Sequence, residues 1–209
     1  MSGVLGFAHR GGLADAPENS LEAFAGALGL GVCALESDVW LDAGGVPVLS
    51  HGPPAGTPVR LAELFATCGT TFDLSLDLKG PGTASATIEV ARAAGFDLRR
   101  LWLCGPGGSS AIWRSLDPQV RLVTDLGWRD ALAPSLPLRR YADAGLDAVN
   151  LRHGRWTPGL VRRVHDHGLL AFAWDVQHAW TLRWAVSRGV DAVYSDHPRL
   201  LVKALGAKR

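Results

Sequence analysis

The chain of 209 residues has few cysteines, no long apolar run and almost no excess charge. Its three cysteines, Cys33, Cys68 and Cys104, show neither CxxC nor Cys/His spacing, which argues against a disulfide framework or a zinc site. No apolar stretch is long enough to span a bilayer, and a net charge of +1 gives no general field for nucleic acid. We expect packing cysteines, no nucleic-acid partner, no stable membrane insertion, and attraction to an anion only at a local site.

The composition favours one soluble domain. The first residues, MSGVLGFAHR, lack the basic and apolar segments of a signal peptide, so we expect a reduced, cytoplasmic protein. With 47% hydrophobic residues and no low-complexity linker, the chain can bury one large core. We predict a single domain over residues 1–209, and the sequence leaves the oligomeric state open.

Short apolar runs alternate with segments of helical period, which is typical of a parallel sheet with crossover helices. The segment LDAGG after the second run is long enough only for a hairpin turn, so the third run, VPVLSH, is predicted to form an antiparallel arm. The other eight runs predict an α/β fold, a single (β/α)8 TIM barrel with this β-hairpin arm; a doubly wound open sheet is the alternative. The nine predicted strands cover residues 4–9, 32–40, 46–51, 71–79, 101–105, 121–125, 148–152, 169–176 and 192–196.

Polar residues follow the first predicted strand, at the rim where barrel enzymes carry their chemistry. His9 and Arg10 end the strand and two glycines follow them. Burying both groups unpaired would cost several kcal/mol, so a functional site is favoured over the core. Asn19 or Ser20 is predicted to cap the next helix, with Glu22 at capping-box distance from Asn19.

Acidic residues end the next two barrel strands. Glu36 and Asp38 are two residues apart and therefore lie on one face, where like charges raise each other's pKa unless a cation lies between them. A hard divalent ion such as Mg²⁺ or Ca²⁺ prefers carboxylate oxygens, and the alternative is that one acid pairs with an arginine. Asp77 and Lys79 have the same spacing; they are either a salt-bridged strand end or a third carboxylate with a cation for an anionic substrate. His51, at the end of the arm, returns to the level of the first two acids.

The last predicted strands also end in polar residues. Asp196 could be part of a site or could cap the final helix. Asn150, Trp174, Asp175, Ser195 and His197 occupy similar strand-end positions. The remaining histidines have no ligand spacing and are predicted to be surface or capping groups: His153, His165, His167 and His178.

In chain order, the motifs HRG, PEN, ExD, H, DxK, W and SDHP resemble the glycerophosphodiester phosphodiesterase family of (β/α)8-barrel enzymes. The match is densest over residues 9–51, and the later motifs, such as GVDAVYSDHP, gain weight from their order. The resemblance implies that His9 and His51 are the general acid/base pair and that Arg10 and Lys79 bind the phosphate. It also implies that a divalent metal ion (Mg or Ca) is bound by Glu36, Asp38 and Asp77. Trp174 would line the alcohol side of the substrate.

The family resemblance also implies a reaction. A metal-dependent phosphodiesterase would hydrolyse a small-molecule glycerophosphodiester to glycerol 3-phosphate and an alcohol. The metal and the two cationic side chains would neutralise the charge that develops at phosphorus, while the histidines transfer protons. A hydroxyl of the glycerol would attack first, and water would then open the cyclic phosphate.

The sequence departs from the family pattern in three places. The family usually has His-Asp where this chain has His51-Gly52, and Glu-x-Lys where it has Asp77-x-Lys79. Between His51 and Asp77 the cap insertion of the family is reduced to little beyond a loop and one helix, which predicts a more open site. Two alternatives follow: a phosphodiesterase of lysophospholipids or other phosphodiesters, and a non-catalytic barrel that binds anionic ligands. Both histidines and all three acids argue against the latter.

Overall fold

The structure, a computed structural model, describes residues 3–106, 112–126 and 136–206. Within these ranges the chain forms ten strands: β1 (Leu5–Ala8), β2 (Ala34–Leu41), β3 (Pro47–Leu49), β4 (Val59–Arg60), β5 (Asp73–Leu78), β6 (Leu101–Gly105), β7 (Arg121–Asp125), β8 (Ala148–Arg152), β9 (Leu170–Trp174) and β10 (Ala192–Ser195). The helices described are α1 (Leu21–Gly29), α2 (Leu61–Cys68), α3 (Thr83–Ala93), α4 (Leu138–Asp143), α5 (Pro158–Asp166), α6 (Ala179–Ser187) and α7 (Pro198–Leu205). Single 3-10 turns cover His9–Gly11, Leu98–Arg100 and His153–Arg155.

Eight of the strands form a closed parallel barrel. The ring closes because β1 pairs in parallel with both β10 and β2, with Phe7 in register with Tyr194 on one side and with Ala34 on the other. This closure confirms the predicted TIM barrel and excludes the open doubly wound sheet. All nine predicted strands are present. Strand β4 was not predicted, because two residues carry no readable alternation.

The predicted hairpin arm is also confirmed. Strand β3 runs antiparallel to the end of β2, with Val39 opposite Leu49, and β4 continues the arm on the outside. The Asp42 carboxylate closes the turn by accepting hydrogen bonds from the backbone N–H groups of Gly44 and Val46. Gly45 has φ 77°, a conformation that favours glycine, which explains why the turn sequence contains it.

The barrel has two layers of packing. Alternate strand residues point inward and fill the lumen, while the others pack under the helices. Phe7 stacks on Tyr194 at 4.9 Å between ring centroids and contacts Phe172 and Trp102. The inner layer consists of Phe7, Ala34, Trp102, Cys104, Val123, Ala148, Phe172, Ala192 and Tyr194. This inner layer lies directly below the polar residues at the carboxyl ends of the strands.

Segments outside the barrel strands are short in the part of the chain described. Between β3 and β5 the chain forms only a loop, β4 and α2, which agrees with the predicted reduction of the cap. None of the three cysteines is in a disulfide. Cys104 is buried and the other two are half-buried, and burial raises the pKa of the thiols of Cys68 and Cys104. None of the helices described has both the length and the apolar character that crossing a membrane requires.

Candidate active site

The carboxyl ends of the barrel strands surround a pocket of about 380 Å³. All eight residues that the family resemblance singles out line it: His9, Arg10, Glu36, Asp38, His51, Asp77, Lys79 and Trp174. Six more residues complete the wall: Ser75, Cys104, Asp125, Leu126, Asn150 and Tyr194. Side chains from residues far apart in the sequence therefore meet in one cavity, as the parallel barrel requires.

The turn after β1 brings backbone as well as side chains into the pocket. Arg10 has φ 51°, and its backbone N–H donates to Glu36 Oε2 at 3.0 Å. Gly12 has φ 93°, and a Cβ at this position would overlap the Pro198 ring at the start of α7. Gly12 thus lets the turn pack against α7, while the Arg10 side chain lies near Asp38.

His9 is oriented by a carboxylate from the opposite end of the chain. Its Nδ1 lies 2.5 Å from Asp196 Oδ1, and Gln177 Nε2 donates to Asp196 Oδ2 at 2.9 Å. His9 Nε2 lies 3.8 Å from Glu36 Oε2. Burial acts to lower the pKa of His9, but the Asp196 hydrogen bond and the charge of Glu36 outweigh it and raise that pKa above its usual value. Asp196 is not the cap of the last helix, because His197 occupies the N-cap position.

The two acids of β2 are buried, and burial raises the pKa of one of them, Glu36. Glu36 is 7% and Asp38 is 5% exposed. Asp38 is in register with Asp77 on β5, so these two carboxylates are neighbours across adjacent strands, and Glu36 lies two residues before Asp38 on the same face of β2. Desolvation raises the pKa of Glu36 to about 7 and that of Asp77 to about 6, and neighbouring acids add to both shifts.

Lys79 and Arg10 both lie against these acids. Lys79 Nζ is 2.5 Å from Asp77 Oδ2 and 3.0 Å from Asp38 Oδ1. Burial acts to lower the pKa of Lys79, but the hydrogen bonds to the two acids raise it, so the lysine stays charged. Arg10 Nε approaches Asp38 Oδ2 only to 3.6 Å, while its Nη1 donates to Glu18 at 2.8 Å. Ion pairing of the acids, the alternative considered from the sequence, is therefore present in this conformation.

The donor set nevertheless suits a hard cation. Asp38 Oδ2 is buried and accepts no hydrogen bond within the described residues. Glu36 and Asp77 line the same pocket, and the raised pKa values of these two acids reflect their desolvation and their nearness to other carboxylates. A divalent ion favours oxygen ligands and would offset the cost of ionising such acids. In the part of the chain described, no three His, Cys, Asp or Glu side chains are already arranged around a metal position.

His51 reaches the pocket from the hairpin arm. The backbone N–H of Ser50 donates to the Asp38 carbonyl oxygen at 3.0 Å, which brings His51 beside the acids of β2 as the arm predicts. Its ring is exposed and has no hydrogen-bond partner among residues 3–106, 112–126 and 136–206. A side chain at Gly52 would have open space within 4 Å of its Cβ, so no steric reason excludes a larger residue there.

Sequence reasoning missed Asp125. It ends β7, where Asn150 Nδ2 donates to its Oδ1 at 2.8 Å and the Cys104 thiol lies 3.4 Å from its Oδ2. Although the residue is exposed, the protein around its carboxyl removes water and raises its pKa, against the effect of the Asn150 hydrogen bond. The only signal in the sequence was an acid at the end of the run RLVTD.

The prediction for Asn19 was half right. Ser20 caps α1 by accepting a hydrogen bond from the Ala23 N–H at 3.1 Å. Asn19 does not cap; it is buried with φ 56°, and its Oδ1 accepts a hydrogen bond from the Ser37 hydroxyl at 2.7 Å. Glu22 is exposed and makes no capping box with Asn19. Asn19 thus ties the first loop to β2, a tertiary role that local spacing cannot reveal.

The remaining histidines lie outside the pocket. His165 contacts Asp191 at 2.8 Å, His167 contacts the Arg163 carbonyl, and His178 is the N-cap residue of α6. His153 packs edge-on against Trp180 and Trp184. These positions agree with surface and capping roles.

The comparison with known proteins identifies the family. The model of the glycerophosphoryl diester phosphodiesterase family matches residues 9–80 and 110–200, which is most of the chain. The chain belongs to this family. As a member, the protein is a phosphodiesterase, a hydrolase of phosphoric diesters. No curated protein matches the chain by sequence.

Solved structures match the fold of this phosphodiesterase over nearly its whole length. A chain from Silicibacter pomeroyi DSS-3 is 23% identical with a TM-score of 0.83, covering 98% of this chain and 94% of the other. A phosphodiesterase from Oleispira antarctica, solved with the product sn-glycerol-3-phosphate, is 20% identical with a TM-score of 0.84 and coverages of 97% and 96%. A glycerophosphodiester phosphodiesterase from Parabacteroides distasonis is 17% identical with a TM-score of 0.82 and coverages of 97% for both chains. At such identities the likeness establishes the fold.

Proposed function

We propose that this phosphodiesterase hydrolyses glycerophosphodiesters to glycerol 3-phosphate and an alcohol, with His9 and His51 as the acid/base pair and a divalent cation at the acids. The observation that carries the proposal is the convergence of two histidines, three carboxylates and two cationic side chains on one pocket. The product found in the Oleispira antarctica structure supports the glycerol side of the substrate.

Arg10 and Lys79 bind the phosphate in this proposal. Both lie against Asp38, and the raised pKa of Lys79 keeps its full positive charge at working pH. A phosphodiester carries one negative charge and gains more as the attacking oxygen adds to phosphorus. Cationic groups held in place before the reaction stabilise that added charge most effectively.

Glu36, Asp38 and Asp77 hold the cation. Their donor set contains only carboxylate oxygens, which suits Mg²⁺ or Ca²⁺. When bound, such an ion supplies Lewis-acid stabilisation of the negative charge on the phosphate. The acids themselves must be ionised to bind it, so the raised pKa values of Glu36 and Asp77 make binding favour neutral or alkaline pH.

The histidines move the protons. Because Asp196 holds His9 Nδ1, His9 Nε2 is the atom free to exchange a proton in the pocket. One histidine removes the proton from the attacking hydroxyl of the glycerol, and the other donates a proton to the departing alcohol. Water then opens the cyclic phosphate with the two proton transfers reversed in direction.

A single assay separates this function from its alternatives. Purified protein is incubated with glycerophosphocholine, glycerophosphoethanolamine or lysophosphatidylcholine, with Mg²⁺ or Ca²⁺ and with EDTA. We expect turnover of the two glycerophosphodiesters that EDTA abolishes. Turnover of the lysophospholipid alone would favour the lipid substrate, absence of turnover with every diester would leave a binding barrel, and EDTA-resistant turnover would refute the cation.

A further inference from the structure

The wall of the pocket formed by β7, β8 and β9 carries a carboxylate that the proposed reaction does not use. Asp125 is two residues beyond Val123, whose side chain lies in the barrel lumen, so both point inward. Its carboxylate receives neutral donors, the Asn150 amide at 2.8 Å and the Cys104 thiol at 3.4 Å. No Lys, Arg or His among the described residues lies within 4 Å of it.

The lysine and the arginine that line the pocket form ion pairs with other acids. Lys79 is bound between Asp38 and Asp77, and Arg10 lies against Asp38 and Glu18. Arg152, at the end of β8, donates to Asp175 through Nε at 2.8 Å and through Nη2 at 2.7 Å. A carboxylate without a cationic partner in a pocket built for a phosphodiester would repel the substrate, unless part of that substrate is positively charged.

An aromatic face lies on the same wall. Trp174 ends β9, is in register with Arg152 on β8, lines the pocket and is 42% exposed, so part of its indole is available to a ligand. Asp125 on β7 is in register with Asn150 on β8, one pleat deeper than Trp174. A carboxylate below and an indole face above are the two groups that recognise an alkylammonium ion, by charge and by cation–π attraction.

We propose that Asp125 and Trp174 form a subsite for the ammonium group of an amino-alcohol head group. The inference rests on the proposed hydrolysis of glycerophosphodiesters and assigns its leaving alcohol. Asp77 is in register, through Cys104, with Val123, so Asp125 lies two interstrand steps across and two residues further along, roughly 12 Å between backbones. With the phosphate at Lys79, the ammonium group of a two-carbon amino alcohol would extend along the pocket wall toward Asp125 and Trp174. Diesters of choline and ethanolamine are thus favoured over those of uncharged alcohols.

The kinetic test compares substrates that differ only in the head group. The value of kcat/KM is measured for glycerophosphocholine, glycerophosphoethanolamine and glycerophosphoglycerol with wild-type protein and the Asp125→Asn variant. We expect Asp125→Asn to lower kcat/KM for the two ammonium diesters about tenfold, mainly through KM, and to leave glycerophosphoglycerol within about twofold. Asp143→Asn, which removes the same charge from an exposed helix outside the pocket, should change none of the three.

A second variant and a binding measurement test the subsite even if Asp125→Asn misfolds or the protein shows no turnover. Trp174→Leu should weaken glycerophosphocholine more than glycerophosphoethanolamine, since the quaternary ammonium gains most from the indole face. Titration calorimetry in a His9→Ala background should give the same preference without catalysis. An equal loss for all three diesters, or no loss for any, would overturn the subsite. Selective binding without turnover by the wild type would instead refute the proposed function and leave the subsite standing.

Discussion

His9 and His51 line one pocket but are held in opposite ways. His9 is half-buried on the 3-10 turn after β1, with 28% of its side chain exposed. Asp196, itself held by Gln177, fixes the His9 ring from beyond the last strand. His51 follows the short strand β3, is exposed, and has no side-chain partner in the described part of the chain. The barrel itself therefore positions His9 through a side-chain contact, while the backbone of the hairpin arm positions His51.

Removing either histidine is expected to give the largest effect. His9→Ala and His51→Ala should each lower kcat by about 10²–10⁴-fold, because general acid/base catalysis contributes that range. His51→Ala should leave the thermal midpoint unchanged, since its ring makes no hydrogen bond with a described residue, whereas His9→Ala should lower it. Steady-state kinetics and thermal melts measure both, with the surface variant His167→Ala as control. A near-wild-type rate in either variant contradicts its role.

Divalent cations should stabilise the protein through the buried acids and not through His51. A saturating cation is expected to raise the Tm by about 5–10 °C at pH 8, because it binds the folded acids and not the unfolded chain. The isosteric Glu36→Gln should lose most of this shift, whereas His51→Ala should keep it. Differential scanning fluorimetry with Mg²⁺, Ca²⁺ or EDTA gives the comparison. An equal shift in all three proteins would place cation binding elsewhere.

Without cation, the same acids should make stability fall as pH rises. The pKa of Glu36 is raised to about 7 and that of Asp77 to about 6, so the folded protein holds these protons more tightly than the unfolded chain does. That contribution is fully present below the unfolded pKa values and is lost as pH rises through about 6 to 7. We expect the Tm in EDTA to drop between pH 5 and pH 8 and the drop to be smaller in Glu36→Gln. An unchanged pH dependence would contradict the shift.

Removing the carboxylate behind His9 tests its anchoring directly. Asp196→Asn is expected to lower kcat about 10–100-fold with little change in KM, as loss of an orienting partner does at comparable sites. It should also lower the pKa of His9, because the Asp196 hydrogen bond raises that pKa in the wild type. The variant should therefore lose most stability at acid pH, where His9 is protonated, and least at a pH above the wild-type pKa of His9. An NMR titration of the His9 ring measures the pKa. Asp196→Glu should restore part of the rate. An unshifted pKa would reduce Asp196 to a structural residue.

Supplying the exposed histidine with a partner should give the smallest effect. Gly52→Asp places a carboxylate beside His51 at a position with open space around the Cβ. We expect a rise in kcat of about 2–5-fold, within the few tenths to one kcal/mol that an exposed charge pair supplies. Gly52→Asn, which has the same shape without the charge, should not increase kcat. An equal rise in both variants would show that the effect comes from backbone stiffness.

Much of the fold was readable from the sequence because its signals are local. Alternation and connection length gave the strands and the hairpin arm, which depend on neighbouring residues alone. The order of motifs at strand ends gave the pocket residues, because parallel strands bring their carboxyl ends to one rim. Asn19 was misread for the opposite reason, since its partner Ser37 is on another element.

The local pattern of residues was enough to predict the barrel, the arm and most of the polar groups at the rim, but not Asp125. The pairings among these groups depend on the folded structure: Asp196 with His9, Lys79 between Asp38 and Asp77, and Asp125 without a cation among the described residues. The physical reason is that a strand pattern fixes which face a side chain points to, whereas a contact across the barrel depends on its closure and register. The same closure brings His9 and Asp196, which are 187 residues apart in the sequence, into hydrogen-bond contact.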